Sequence, residues 1–209
     1  MKAWHFIKDD GTTGHGGLSV SVGQVLKVDG PPVLCRHGLH ASVRLIDALS
    51  YAPGTTLCRV ELGGEIIESD DKVVATERTV IAMANVSVEL RTFARWCALQ
   101  VIDLWDAPEV VRQYLETGDE TIRAAAGDAA GDAVRATARD AARDTAWDAA
   151  RAAAWAAAGD AARAAVGATR ATRAATWAAR AAAGDTAWDA WDACWELELN
   201  RVMKEVFGE

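Results

Sequence analysis

Two short sets of residues carry the side chains with the most chemical reach. The first is Cys35-x-His37-x-x-His40, followed closely by Ser42. A thiolate and two imidazoles suit zinc, yet a structural zinc site needs four ligands and a catalytic one three in open geometry. The missing ligand would have to be His5, His15 or Cys58. The plainer reading is that these groups hydrogen-bond within a loop or pack in a core, and it assigns no metal. The second set is Arg143, Trp147, Arg151 and Trp155. Residues four apart are neighbours on a helix, so guanidinium stands beside indole. That arrangement suits cation–π contact, the clamping of a nucleobase and its phosphate, or a partner protein's surface. Its plainer reading is that Trp fills gaps between helices while Arg stays solvated. No Walker loop, GxGxxG turn, HExxH or GxSxG occurs, which sets aside the NTPase, dehydrogenase, zinc-protease and hydrolase classes.

The elements that position these residues differ sharply between the two halves. The Arg/Trp set belongs to a stretch from Ala124 to Trp195 that is about half alanine. Alanine gives up no side-chain entropy on ordering, so this composition favours helix. Written in fours, the stretch forms stripes: Arg or Trp in one, Asp in a second, Ala in the other two. Asp precedes Arg by three in Asp132/Arg135, Asp140/Arg143, Asp148/Arg151 and Asp160/Arg163, pairs worth only about 0.2–0.5 kcal/mol each that support the helix. One helix of this length would reach roughly 100 Å, so breaks are expected at Gly159-Asp160 and Gly184-Asp185. Gly127-Asp128 and Gly131-Asp132 are either further breaks or small residues where another helix packs close. A last helix runs from Asp185 to about Phe207.

The first half reads as β-rich. Residues 2–8 alternate as a strand, Asp9-Asp10-Gly11-Thr12 is a turn, and Leu18 to Val28 offers two strand-like pieces around Gly23. Ser42 is expected to N-cap a helix over Val43–Tyr51, and TTLCRVEL (55–62) is a strand. Gly63-Gly64 then turns into EIIES, and Lys72 to Ala84 closes this half. From Glu89 the spacing of Phe93, Cys97, Val101 and Trp105 predicts a helix with a broad apolar face. Asp106 caps the next helix, with Pro108 in its first turn and Thr117-Gly118 as its stop. Asp119 opens the Ala-rich series.

The chain has 209 residues and a net charge of −8, with no basic block, which argues against general nucleic-acid binding through phosphates. Arg interleaved with Asp also argues against a DNA mimic. No secretory signal and no long apolar run open or cross the sequence, so no membrane association is expected. Four scattered cysteines without a CxxC pair fit reduced thiols in a cytoplasm.

Lys2-x-Trp4, CRHGLHAS (35–42), CRVELGGEI and DDKVVA together resemble a small domain of unknown function common in bacteriophage proteins. The later half resembles, more loosely, the helical immunity-protein domain of bacteria, through Cys97-Ala98 in a helix ahead of Asp106-Ala107-Pro108 and the Ala/Arg-rich helices that follow. Neither resemblance transfers a catalytic residue. Together they imply a place among phage–bacterium conflict proteins, which mostly work by binding. The strand–GLHAS–helix–strand series also resembles the core of ADP-ribosyltransferase folds. There His5 or His40 would hold the nicotinamide ribose, Ser42 would support it, and Glu61, Glu65 or Glu77 would act on the ribosyl cation. No Glu/Gln-x-Glu pair stands where a transferase acid is expected, and a fold likeness does not carry function.

The expectation is therefore an α+β chain: a small β-rich domain over 1–88, then an all-α Ala/Trp-rich helical bundle over 89–209. Its function would be non-enzymatic binding of the immunity or anti-defence type, neutralising a protein partner or sequestering a small nucleotide signal in the cytoplasm of a bacterial host. His37, His40, Ser42, Arg143, Trp147, Arg151 and Trp155 are the candidate ligand- or partner-binding residues, and no cofactor is assigned. The alternatives are an ADP-ribosyltransferase-like enzyme using NAD and a purely structural homo-oligomer. Homo-oligomerisation is expected in any case, because Ala faces bury little area per residue.

Overall fold

The computed structural model describes residues 1–14, 17–139 and 186–208. It is an α+β protein, with an antiparallel sheet in the N-terminal part and helices mainly in the C-terminal part. Two compact units divide the chain: Met1–Ser87 together with Leu199–Glu209, and Val88–Glu198.

The first unit is built on strands β1 (Lys2–Ile7), β2 (Val25–Lys27), β3 (Leu39–Ala41), β4 (Thr56–Glu68) and β5 (Val73–Asn85), with helix α1 (Leu45–Ser50) between β3 and β4. The order is β1-β4-β5-β2, and β3 also pairs with β5, beyond β2 along the same strand. Ser42, just after β3, exchanges both backbone hydrogen bonds with Trp4 of β1, at 2.8 and 2.9 Å. β1 is thus joined to β4 on one side and to the chain leaving β3 on the other, so the sheet curls back on itself. Cross-strand partners share a face. One face carries Ala3, Ile7, Ala41, Cys58, Val60, Leu62, Val73, Ala75 and Val80, and Val20 joins them from the loop before β2. Trp4 lies on the opposite face, where Phe207 meets its ring edge-on at 5.3 Å and the Arg59 guanidinium sits 4.3 Å from its centroid.

Two sequence expectations fail in this unit for one reason: backbone pairing outbids local turn signals. Ser42 does not cap α1; the helix starts at Leu45 after Arg44, because Ser42 spends its backbone on Trp4. Gly63-Gly64 is not a hairpin turn. β4 runs through it to Glu68, and the pair forms part of a bulge seated by a Glu65 N–H donating to Thr76 Oγ1 at 3.0 Å. At the far end of the sheet, Asp9 Oδ1 accepts from the Thr55 N–H (2.7 Å) and hydroxyl (2.8 Å), while the Asn85 amide donates to that hydroxyl (2.9 Å). The Asp9 carboxylate thereby ties the turn after β1 to the start of β4, and the Thr55 hydroxyl carries the link on to the end of β5.

The second unit contains α2 (Ser87–Leu99), a 3₁₀ turn (Ile102–Leu104), α3 (Glu109–Thr117), α4 (Arg123–Arg139) and the first turns of α5 (Thr186–Phe207). Leu90, Phe93, Ala94, Cys97 and Ala98 are the buried stripe of α2, as the four-residue spacing predicts. The helix stops at Leu99 rather than running to Trp105; Gln100 and Val101 donate three residues back, tightening the last turn. Asp106 does not cap α3. Pro108 is the N-cap, and its carbonyl accepts from both Val111 and Arg112. Gly118 ends α3 in the left-handed conformation (φ 68°), as expected. α4 passes unbroken through Gly127-Asp128 and Gly131-Asp132, burying Ala126 and Ala130 one turn apart. Of the stretch expected to form an Ala/Trp-rich bundle, α4 and α5 are described; the breaks expected at Gly159-Asp160 and Gly184-Asp185 lie outside the described residues. No helix among the described residues is long and apolar enough to cross a membrane.

Candidate functional site

The histidine-bearing stretch is a tight turn leading into β3. Val33 and His37 exchange backbone hydrogen bonds at 2.7 and 2.9 Å, and Cys35 at its tip adopts a left-handed φ of 60°. Gly38 makes the return possible. Its φ is +119°, and a Cβ there would lie 2.4 Å from Val74 Cγ2 and 3.2 Å from the Ala75 carbonyl. The turn is buttressed by its own imidazoles. His37 Nε2 meets the Asp29 carbonyl at 2.7 Å, and His40 Nε2 accepts the Cys35 N–H at 3.0 Å. Cys35 is exposed, with Lys72 Nζ 3.6 Å from its sulfur. The two imidazoles therefore serve the turn's backbone, while the Cys35 sulfur meets Lys72. Among the described residues no group of three or more His, Cys, Asp or Glu could hold a metal ion.

His5, Cys58 and Arg78 meet on the face that the curled sheet encloses. His5 pairs directly with Cys58, and Arg78 with Leu62, so both polar side chains project among the apolar residues of that face. Arg78 is 2 % exposed. Its Nη1 donates to the His40 carbonyl at 2.8 Å, bracing β3 from β5. Its Nε and the His5 Nε2 are enclosed with no hydrogen-bond partner among the described residues. Burial lowers Arg78 to about 10, so it remains a cation at neutral pH. Burial, reinforced by the Arg78 charge and then by His40, pushes His5 down to about 3, so its imidazole is neutral. Burial also pushes Cys58 up to about 11, so this neighbour, whose ionisation would offset Arg78, stays a thiol. A buried cation normally has a counter-charge, and among the described residues no carboxylate pairs with Arg78.

The carboxylates named for ribosyl transfer stand elsewhere. Strand alternation puts Glu61 on the face opposite Val60 and Leu62, and it is exposed. Glu65 is exposed in the β4 bulge. Glu77, half-buried, pairs with the exposed Lys27 at 2.7 Å. Of the candidate binding residues, His37 is exposed, His40 half-buried and Ser42 buried in its backbone pairing with Trp4. Arg143, Trp147, Arg151 and Trp155 lie outside the described residues, as does His15.

Arg78 went unweighed in the sequence reading. The signal was its parity: it is two residues before Val80 in an alternating strand, which sends both to the same face.

A family model described as a domain of unknown function, DUF7666, matches residues 1–91. The N-terminal part of the chain is thus a domain of unknown function, in the stretch where CRHGLHAS and VELGGEI carry the resemblance. Neither the curated proteins nor the solved structures contain a match.

Proposed function

We propose that this chain is a binding protein of the phage–bacterium conflict type, an immunity or anti-defence component. It neutralises a protein partner or sequesters a small nucleotide signal, and it acts in the cytoplasm of a bacterial host. The observation that carries the binding reading is the separation of polar groups in the first unit. The enclosed face offers a guanidinium and a neutral imidazole whose Nε and Nε2 have no hydrogen-bond partner among the described residues, while Glu61 and Glu65 are exposed and Glu77 is engaged by Lys27. Donors suit recognition of a ligand; stabilising a ribosyl cation calls for a carboxylate beside it. The four free thiols agree with a reducing compartment. The biological context is what the two resemblances imply: bacterial immunity domains for the later half and phage-associated domains for the first.

The test runs binding and turnover side by side on the full chain. Equilibrium dialysis against a panel of linear and cyclic nucleotides, with NAD among them, is expected to show retention of at least one ligand without chemical change. Nicotinamide release from NAD that is lost in Glu61→Gln would replace this reading with an ADP-ribosyltransferase-like enzyme. Self-association through Ala faces belongs to the same proposal, and light scattering at tens of micromolar is expected to give a dimer or larger.

A further inference from the structure

We propose that the enclosed face of the curled sheet is a binding site for a phosphate-class oxyanion, held by Arg78 of β5 and His5 of β1. Three observations converge on it. Arg78 is a buried cation whose hydrogen bond goes to a neutral carbonyl, that of His40, and no carboxylate among the described residues joins it. Its Nε–H is enclosed and has no partner among the described residues. On a different strand, the His5 Nε2 is likewise enclosed without a partner among them, beside a Cys58 that sits directly opposite. A brace to one carbonyl accounts for Nη1 alone. It leaves unexplained why a guanidinium was placed there when an apolar residue would cost less to bury. An oxyanion answers both deficits: it supplies the missing negative charge and accepts from Arg78 Nε–H, with a neutral His5 donating from Nε2 in the appropriate tautomer. His5 as a whole is half-buried, while its Nε2 is enclosed on the same face as Arg78.

The proposal deepens the reading of a small-ligand binder and rests on it only for the source of the phosphoryl group, free phosphate or the end of a nucleotide. The test uses the wild-type full chain in ¹⁵N NMR, following the Arg78 Nε–H and His5 ring resonances during titration with inorganic phosphate, adenosine monophosphate or adenosine. Saturable shifts of both groups with inorganic phosphate are expected. General stabilisation by excluded anions would produce no saturation at these two groups. Tighter saturation with adenosine monophosphate than with phosphate supports the site and a nucleotide source together. Phosphate binding with no gain from the nucleotide keeps the site and removes the nucleotide reading. Absence of saturable shifts with phosphate overturns the proposal, and so does adenosine shifting both resonances as well as its monophosphate does. His5→Leu, which has no donor, is expected to weaken phosphate roughly five- to tenfold, in line with one lost hydrogen bond. Unchanged affinity in the folded His5→Leu protein would also overturn it.

Discussion

The closed sheet and the alanine-rich helices store structural information in opposite ways. In the sheet unit, single residues decide the outcome: Gly38 permits one return of the chain, Asp9 ties the turn after β1 to the start of β4, and Arg78 braces β3 from β5. In α4 the information is a repeat, and neighbouring fours read almost alike. A repeat sets helix firmly, because every residue agrees on it, but it says little about which helix packs where. A singular residue fixes a tertiary contact while leaving its local element ambiguous. Changes to the two regions should therefore fail differently, and substitution by alanine is the sharpest probe, since alanine is the repeat's own residue.

The largest effect is expected at Gly38→Ala. The new side chain would have to adopt φ +119° and overlap Val74, two faults that no rotamer relieves. A loss on the order of 4–5 kcal/mol should follow, enough to unfold a domain of ordinary stability. Chemical denaturation would read it, and a variant within about 1 kcal/mol of wild type would remove Gly38 from its role. Next comes Trp195→Ala in α5. This Trp is fully buried, and truncation should cost roughly 3–5 kcal/mol. It is a singular residue inside a helical stretch, so a small loss there would break the contrast by showing that the tryptophans are interchangeable filler.

That contrast also explains what was legible. Strands β1 and β5, α2's buried stripe and the Gly118 stop followed from alternation, four-residue spacing and a glycine, all of which are local. The failures lie where a distant strand competed. Ser42 has the chemistry of a cap but is claimed by Trp4, and Gly63-Gly64 has the chemistry of a turn but is spanned by pairing to β5. The site suffered in the same way. Cys35, His37 and His40 are conspicuous because they are close in sequence, yet the two imidazoles hold their own turn and the thiol is exposed beside Lys72. His5 and Arg78 are 73 positions apart and meet only because the sheet curls.

A smaller effect should appear with pH. His5 has a folded value near 3, far below the ordinary 6.5, so between those limits the unfolded chain binds a proton that the folded chain refuses. Stability is therefore complete above pH 6.5 and falls as pH drops towards 3, with about 2 kcal/mol lost by pH 5. Urea midpoints at pH 7.5 and pH 5 would measure this, compared with His5→Gln to subtract the other histidines. Equal pH dependence in the two proteins would show that His5 accepts a proton in the folded state without penalty. Phosphate at the proposed site would shrink the loss, since an anion favours the imidazolium.

The smallest effect is expected at Asp128→Ala, and its sign is the point. Asp128 is exposed in the middle of α4, and Asp replaced by Ala gains about 0.5 kcal/mol of helix propensity. Its neighbours one turn away are Ala124, Ala125, Gly131 and Asp132, so the sequence offers it no basic partner and one like charge. Removing that repulsion adds a few tenths of a kcal/mol, and the variant should be more stable by roughly 0.5–1 kcal/mol. The same kind of substitution that breaks the sheet unit at Gly38 thus improves the repeat. Thermal melts of the full chain would resolve the difference. If Asp128→Ala were destabilising by 1 kcal/mol or more, the aspartate stripe would be engaged by a partner or a second copy of the chain, and α4 would have to be read as a surface with singular residues of its own.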